Sequence, residues 1–176
     1  GDAASVIAGG MESMSNAPHF VRRLRTGQKL GDLVLVDSMI HDGLTCSMDG
    51  CHMGMHAEYT ADRWGISRQR QDQFACESQA KAAAAWEQGL FDEEVVGATV
   101  KSRHGETIVG ADECVRSETT VERLAGLRPV FDTSGTVTAG NASVLSDGAA
   151  AVVVANREIA DASKAAIKAK IVAYFT

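Results

Sequence analysis

The sequence lacks any apolar run long enough to cross a bilayer. Its first residues, Gly-Asp-Ala-Ala-Ser, carry no basic segment of the kind that opens a secretory signal peptide, and there is no starting methionine. A basic excess is also missing: the net charge of −6 argues against wrapping a polyanion, which needs a concentrated positive face. Basic residues cluster only at Arg22, Arg23, Arg25 and Lys29, with Asp32 and Asp37 soon after, which reads as a solvated loop or a subunit contact. Neither a nucleic-acid nor a membrane partner is expected.

Cysteines are few. Cys46, Cys51, Cys76 and Cys114 are too sparse for a disulfide scaffold, so reduced thiols in a cytoplasmic setting are the expectation. Cys46 and Cys51 with His52 and His56 carry metal-ligating atoms, but the cysteine spacing matches no common zinc pattern and no second pair follows. No metal ligand set is expected.

What is present is ordinary for a folded domain: 45 % hydrophobic and 23 % charged residues over 176 positions, enough for one sizeable core. Ala4–Ala8, closed by Gly9-Gly10, reads as a buried strand with a tight exit, followed by irregular chain over Met11–Pro18. Leu33–Val36 reads as a short strand or a packed loop. Met53, Ala57, Ala61 and Trp64 recur at helical spacing, with Gly65 as the stop. Ser67 caps a second helix running to Gln88, with Gly89 beyond it. Phe74, Ala75, Ala82, Ala85 and Trp86 mark its packed side, while Gln69, Gln73, Glu77 and Lys81 form the solvated row.

Val95–Val109 reads as two strands around Arg103-His104-Gly105-Glu106. Thr119 and Glu122 have capping-box spacing for a short helix ending at Gly126. Ala149–Val154 has the unbroken apolar character of a strand buried on both faces. A helix near Arg157–Ala169 and a strand over Lys170–Phe175 complete the pattern. The two ends fall in strand-like runs, which leads us to expect a piece of a larger protein. The architecture is a layered α/β core at both ends with a long insertion of helices and small strands between.

Three stretches together resemble the thiolase superfamily: Val6-Ile7-Ala8-Gly9-Gly10-Met11-Glu12-Ser13-Met14-Ser15; Cys51-His52-Met53-Gly54; and Arg128-Pro129-Val130-Phe131 running through Gly135–Ser143 to Ser146–Ala151. The resemblance covers essentially the whole chain. It implies a partial thiolase-like layered α/β fold with a large α+β loop-domain insertion. Residues 1–12 would be a strand of the N-terminal α/β domain, 13–141 the loop domain over the CoA cleft, and 142–176 the return to the core and the start of the C-terminal domain.

The resemblance further implies Claisen chemistry on CoA thioesters as substrates, with no other cofactor. A reactive cysteine takes the acyl group, and a second acyl-CoA, deprotonated at its α-carbon, attacks the thioester. That cysteine would lie upstream of Gly1, and the family's His and second Cys beyond Thr176. None of the four cysteines here aligns with either catalytic position, and no catalytic residue is assigned.

What the resemblance leaves to this chain is CoA binding. His52 and Met53 match the wall along the pantetheine arm, beside the plainer reading of a helix-starting His and a core Met. Ser143 matches a serine bonding the pantetheine amide, or caps a helix. Ala139 and Leu145 fall near the thioester end. Arg116 matches a basic residue near the nucleotide, where a guanidinium suits phosphate, although a surface arginine would look the same. Leu44, Leu124, Leu127 and Phe131 would line the cleft or simply fill the core. Arg123 stands where relatives often carry a small polar residue, and Cys51 where an aromatic is common. The Arg22–Lys29 segment resembles the loop that builds the family's tetramer. The other reading is a non-catalytic CoA-binding or oligomerisation module completed by a partner chain.

Overall fold

A computed structural model describes residues 3–165 and 168–174. The chain divides into two units, one of Gly1–Ala17 with Leu145–Thr176 and the other Pro18–Val144.

In the first unit, β1 (Ser5–Ser13) and β6 (Asp147–Ala155) form an antiparallel ribbon in continuous register from Ser5 opposite Ala155 to Ser13 opposite Asp147. β1 therefore runs straight through Gly9-Gly10, where the sequence pattern places an exit. Gly9 has a packing reason: a Cβ there would stand 2.7 Å from the Ala150 carbonyl oxygen. The ribbon closes at its end on the Asp147 carboxylate, which accepts bonds from the Ser13 and Ser15 hydroxyls and from the Ser15 N–H. Those bonds, the Ser15 hydroxyl first, hold the Asp147 carboxyl below its ordinary pKa.

Burial differs from the sequence expectation. Both strands are exposed on both faces, because among the described residues each pairs only with the other and no layer covers them. Helix α4 spans only Arg157–Ala162, capped by the Asn156 side chain on the Ile159 N–H. Ser163 turns extended and ends it well short of Ala169. The described part of the expected final strand, 170–174, forms no strand; Phe175 lies outside the described residues.

In the second unit, β2 (His19–Val21) pairs antiparallel with β3 (Leu35–Asp37), which decides the Leu33–Val36 alternative for strand over its second half. Between them lie the basic loop and a 3-10 turn at Leu24–Thr26, with Arg23 in the left-handed region at φ 60°. A π-type turn at Met39–Gly43 then delivers Leu44, whose N–H closes on the Met39 carbonyl.

Helix α1 (Met53–Arg63) begins where the His52 ring accepts the Gly54 N–H, and Gly65 follows it at φ 60°. Helix α2 (Arg68–Glu87) is capped by the Ser67 hydroxyl on the Arg70 N–H, and Gly89 follows at φ 66°. Each glycine supplies the left-handed turn that lets the chain leave a helix. β4 (Ala98–Ser102) and β5 (Gly105–Val109) form the expected hairpin. In α3 (Val121–Ala125) the cap is Thr120, one residue beyond the expected Thr119, whose hydroxyl instead donates to the Arg116 carbonyl.

The core of this unit is small: Ala61, Leu124 and Val137, with two buried polar residues, Asp72 and Thr138. Trp64 and Phe74, assigned to packed faces from periodicity, are 74 % and 73 % exposed. Ala57 is exposed too, and only Ala61 of that α1 row is buried. α2 turns inward a mixed stripe that includes Gln71, Asp72, Ala75, Cys76 and Gln79, so polar bonds set its face more than apolar area does. Gln69, Gln73, Glu77 and Lys81 are exposed, as read from the sequence.

Candidate functional site

Four of the candidate CoA-binding residues meet at the start of α1. The hairpin turn before it closes with a bridge between Thr45 and His52, and the Met53 N–H donates to the Leu44 carbonyl at 2.8 Å. This places Leu44, His52 and Met53 side by side. The His52 ring, its Nδ1 engaged by the Gly54 N–H at 2.9 Å, lies 4.8 Å from the Phe131 ring, centroid to centroid, at a tilt of 31°. His52 thus does start the helix, and its ring also has an aromatic partner from a distant segment. Met53 is half exposed and is no core residue.

Gly54 permits this contact. A Cβ there would run into the Phe131 ring. Gly54→Ala is therefore expected to lose about 1–3 kcal/mol in denaturant melts, the usual cost of overpacking. Combining it with Phe131→Leu should recover part of that loss. An unchanged melt for Gly54→Ala would show that the ring does not sit against α1.

A second group forms around the loop 136–141. Leu124 is buried, Leu127 half exposed, and both press on Gly140: a Cβ at Gly140 would meet Leu124 Cδ2 and Leu127 Cδ1 at 2.5 and 2.6 Å. Ala139 stands beside this contact, exposed. Ser143 is exposed and caps no helix, since the chain runs on without one to β6. Leu145 belongs to the other unit, in the approach to β6.

The arginines are surface residues. The Arg116 N–H donates to Gln79 Oε1 at 2.7 Å, which ties that segment to α2. The Arg123 guanidinium donates one bond to the Glu118 carbonyl at 3.0 Å, leaving its other donors outward. In the basic loop, Arg22 touches the His41 ring, whose other nitrogen faces Asp42.

Residues the sequence reading passed over hold these groups in place. Asp72, 1 % exposed, accepts from Arg68 Nε at 2.7 Å and from Asn141 Nδ2 at 2.9 Å. Arg68 then donates through Nη2 to the Leu124 and Leu127 carbonyls, while Asn141 accepts the Thr138 N–H and donates to the Thr136 carbonyl. One buried carboxylate therefore connects α2, α3 and the loop that carries Ala139. From α1, Glu58 accepts the backbone N–H groups of Thr136 and Val137 at 2.8 Å each, and the Thr136 hydroxyl at 3.1 Å. Gln71 donates to that same hydroxyl. The only sequence sign of this network is the i,i+4 spacing of Arg68 and Asp72.

A cavity of about 430 Å³ lies elsewhere on this unit, between Glu58, Ile66, Ser67, Asp132, Ser134 and Thr136. None of the candidate CoA residues lines it. Asp132 there is held below its ordinary pKa by the N–H and hydroxyl of Ser134, and carries negative charge into the opening.

No disulfide links the cysteines. Cys51 is exposed, and Cys76 donates to the Thr119 carbonyl at 3.4 Å. Cys46 faces the Asp49 carboxylate, which the Cys51 N–H first, and then the Cys46 thiol, hold below its ordinary pKa. Among the described residues no helix is long and apolar enough to cross a membrane.

The chain as a whole is similar to known proteins. Residues 1–158 match the family described as thiolase, N-terminal domain. An acetyl-CoA acetyltransferase of Paracoccus denitrificans is 51 % identical over all of this chain and 45 % of its own length. One from Escherichia coli is 45 % identical over 99 % of the chain and 44 % of its own length. Among solved structures, human mitochondrial 3-ketoacyl-CoA thiolase superposes with a TM-score of 0.80 at 43 % identity, covering 91 % of this chain and 40 % of that one. Bacillus anthracis acetyl-CoA acetyltransferase gives 0.80 at 36 %, covering 90 % and 40 %. The chain thus spans a little under half the length of these relatives and carries part of their mixed α/β fold. With the family match running through most of its length and the fold shared at high similarity, the chain belongs to the thiolase family.

Proposed function

We propose that the chain supplies the CoA-binding loop domain, about residues 13–141, of an acyl-CoA acyltransferase that forms or cleaves acetoacetyl-CoA or a longer 3-ketoacyl-CoA. The observation that carries this reading is the meeting of Leu44, His52, Met53 and Phe131 at the head of α1, in a family whose relatives here are named for acetyl-CoA. In this reading the apolar and aromatic edge takes the pantetheine arm. Ser143 bonds its amide, Ala139 and Leu145 lie toward the thioester, and Arg116 and Arg123 hold the nucleotide phosphates. The Arg22–Lys29 loop is a contact within a homo-oligomer, a dimer or tetramer, in a cytoplasmic enzyme.

The acyl-transfer step needs a thiolate set beside a base, with donors for the thioester oxygen. Cys51 lacks such a setting, Cys76 donates to a carbonyl, and Cys46 faces a carboxylate. We therefore assign the nucleophile and the acid/base groups to polypeptide outside these 176 residues. The uncovered faces of the β1–β6 ribbon are then the surfaces on which further layers of the fold rest.

An assay with acetoacetyl-CoA and CoA tests the catalytic part. The 176-residue chain is expected to release no acetyl-CoA. The longer polypeptide that contains it is expected to do so, and to stop when its upstream cysteine is replaced by serine. Turnover by the 176 residues alone would overturn the assignment. A silent longer polypeptide that still binds CoA would make this a non-catalytic CoA-binding module.

A further inference from the structure

Cys46, Asp49 and His56 come together one turn into α1. One Sγ, one carboxylate oxygen and one ring nitrogen all lie within 4.8 Å of one another. The turn that carries the first two is fixed by the Cys46 N–H on the Cys51 carbonyl at 2.8 Å and the Gly50 N–H on the Cys46 carbonyl at 2.9 Å. The Asp49 carboxylate is itself oriented by the Cys51 N–H at 2.9 Å. His56 comes from the facing helix, one turn after the cap at His52, with Nε2 at 3.1 Å from Asp49 Oδ2. Cys46 and His56 are half-buried and Asp49 is exposed, so the three donors converge at a site open to solvent on one side.

We propose that Cys46, Asp49 and His56 form a binding site for a borderline-soft divalent transition metal, of the Zn²⁺ type. The donor set decides the metal class. Thiolate and imidazole disfavour Mg²⁺ and Ca²⁺, which take oxygen shells, while one S, one N and one O suit a tetrahedral d¹⁰ ion with its fourth position left to water. Zinc bonds of about 2.0–2.3 Å at tetrahedral angles put ligand atoms about 3.3–3.8 Å apart. The side chains need move by only about an ångström to close on an ion. This set differs from the one that cysteine spacing brings to mind: Asp49 takes part, and Cys51 and His52 do not.

Binding replaces S–H with an S–metal bond and releases one proton to solvent, so affinity rises with pH. Once bound, the ion ties the Cys46–Cys51 turn to α1 and stiffens the segment that presents His52 and Met53.

The test is titration of the full chain, under reducing conditions, with Co²⁺ as the spectroscopic probe and Zn²⁺ as competitor. One equivalent is expected, with a thiolate-to-cobalt charge-transfer band that Zn²⁺ bleaches and Mg²⁺ and Ca²⁺ do not. Cys46→Ser should abolish the band, and His56→Ala and Asp49→Asn should each weaken binding by more than about 100-fold, beyond the range of about 10–100-fold seen for losing an outer-shell partner. Cys51→Ser and Cys114→Ser should leave it unchanged, with circular dichroism verifying the fold of every variant. Absence of the band, its survival in Cys46→Ser, or uptake of several weakly held ions overturns the proposal.

Discussion

Replacing Asp72 with alanine is expected to cost about 3–5 kcal/mol, the largest loss of any single change in this chain. The carboxylate is buried and is the shared acceptor for Arg68 and Asn141. Its removal strands a guanidinium whose side chain is only 24 % exposed and frees an amide that fixes the 136–141 loop. Arginine preceding aspartate is the weaker orientation for a helical i,i+4 pair. The energy therefore comes from what burial leaves unsatisfied, not from the pair as a surface salt bridge.

With a urea slope of about 2 kcal/mol per molar, the midpoint should fall by about 1.5–2.5 M, or the chain should unfold outright. Asp72→Asn, which keeps shape and part of the bonding, should lose less. Exchanging both members, Asp72→Met with Arg68→Leu, should recover part of the loss, because no charge is then left alone. A midpoint within about 0.3 M of the parent for Asp72→Ala would mean that the network does not hold α2, α3 and the loop together.

Glu58→Ala is the second large effect, at about 2–4 kcal/mol. Two backbone N–H groups of adjacent residues, Thr136 and Val137, lose a charged acceptor at once, and each bond to a charged group is worth about 1.5–3 kcal/mol. Water entering the neighbouring cavity offsets part of this. Glu58→Gln keeps one carbonyl acceptor and should fall midway between the two. Amide hydrogen exchange gives the specific readout. Thr136 and Val137 should lose protection in Glu58→Ala by a larger factor than the amides of α2. Uniform loss across the unit would mean global destabilisation with no local anchor.

Local chemistry was readable where a single residue type acts on its own backbone. Ser67 capping α2, the glycines past α1 and α2, and the β4–β5 turn follow from side-chain acceptors and positive φ, which neighbours in space scarcely alter. The cap of α3 was read one residue early because Thr119 and Thr120 offer the same hydroxyl, and only the backbone conformation distinguishes them.

Burial was the weaker inference. The apolar runs of β1 and β6 report the environment a sheet strand usually has, and the described residues provide no layer to cover them. Phe74 fits a helical stripe yet faces outward, because α2 orients by Gln71, Asp72 and Gln79, and Trp64, just past the end of α1, is exposed as well.

The candidate site divides along the same line. Family resemblance pointed to His52, Met53 and Phe131, and geometry adds the ring contact and the role of Gly54. Asp72 and Glu58 could not be read: in sequence each is an acidic residue on a polar helix, and only long-range partners more than 60 positions away make them structural anchors.

The most direct measurement is a CoA titration of the isotopically labelled chain followed by residue-resolved NMR. The account predicts shifts centred on His52, Met53, Leu124, Leu127 and Phe131, extending to Ser143 and to Arg116 and Arg123. Shifts confined to Ile66, Asp132, Ser134 and Thr136, which line the large cavity, or no shift at saturating CoA, would contradict it.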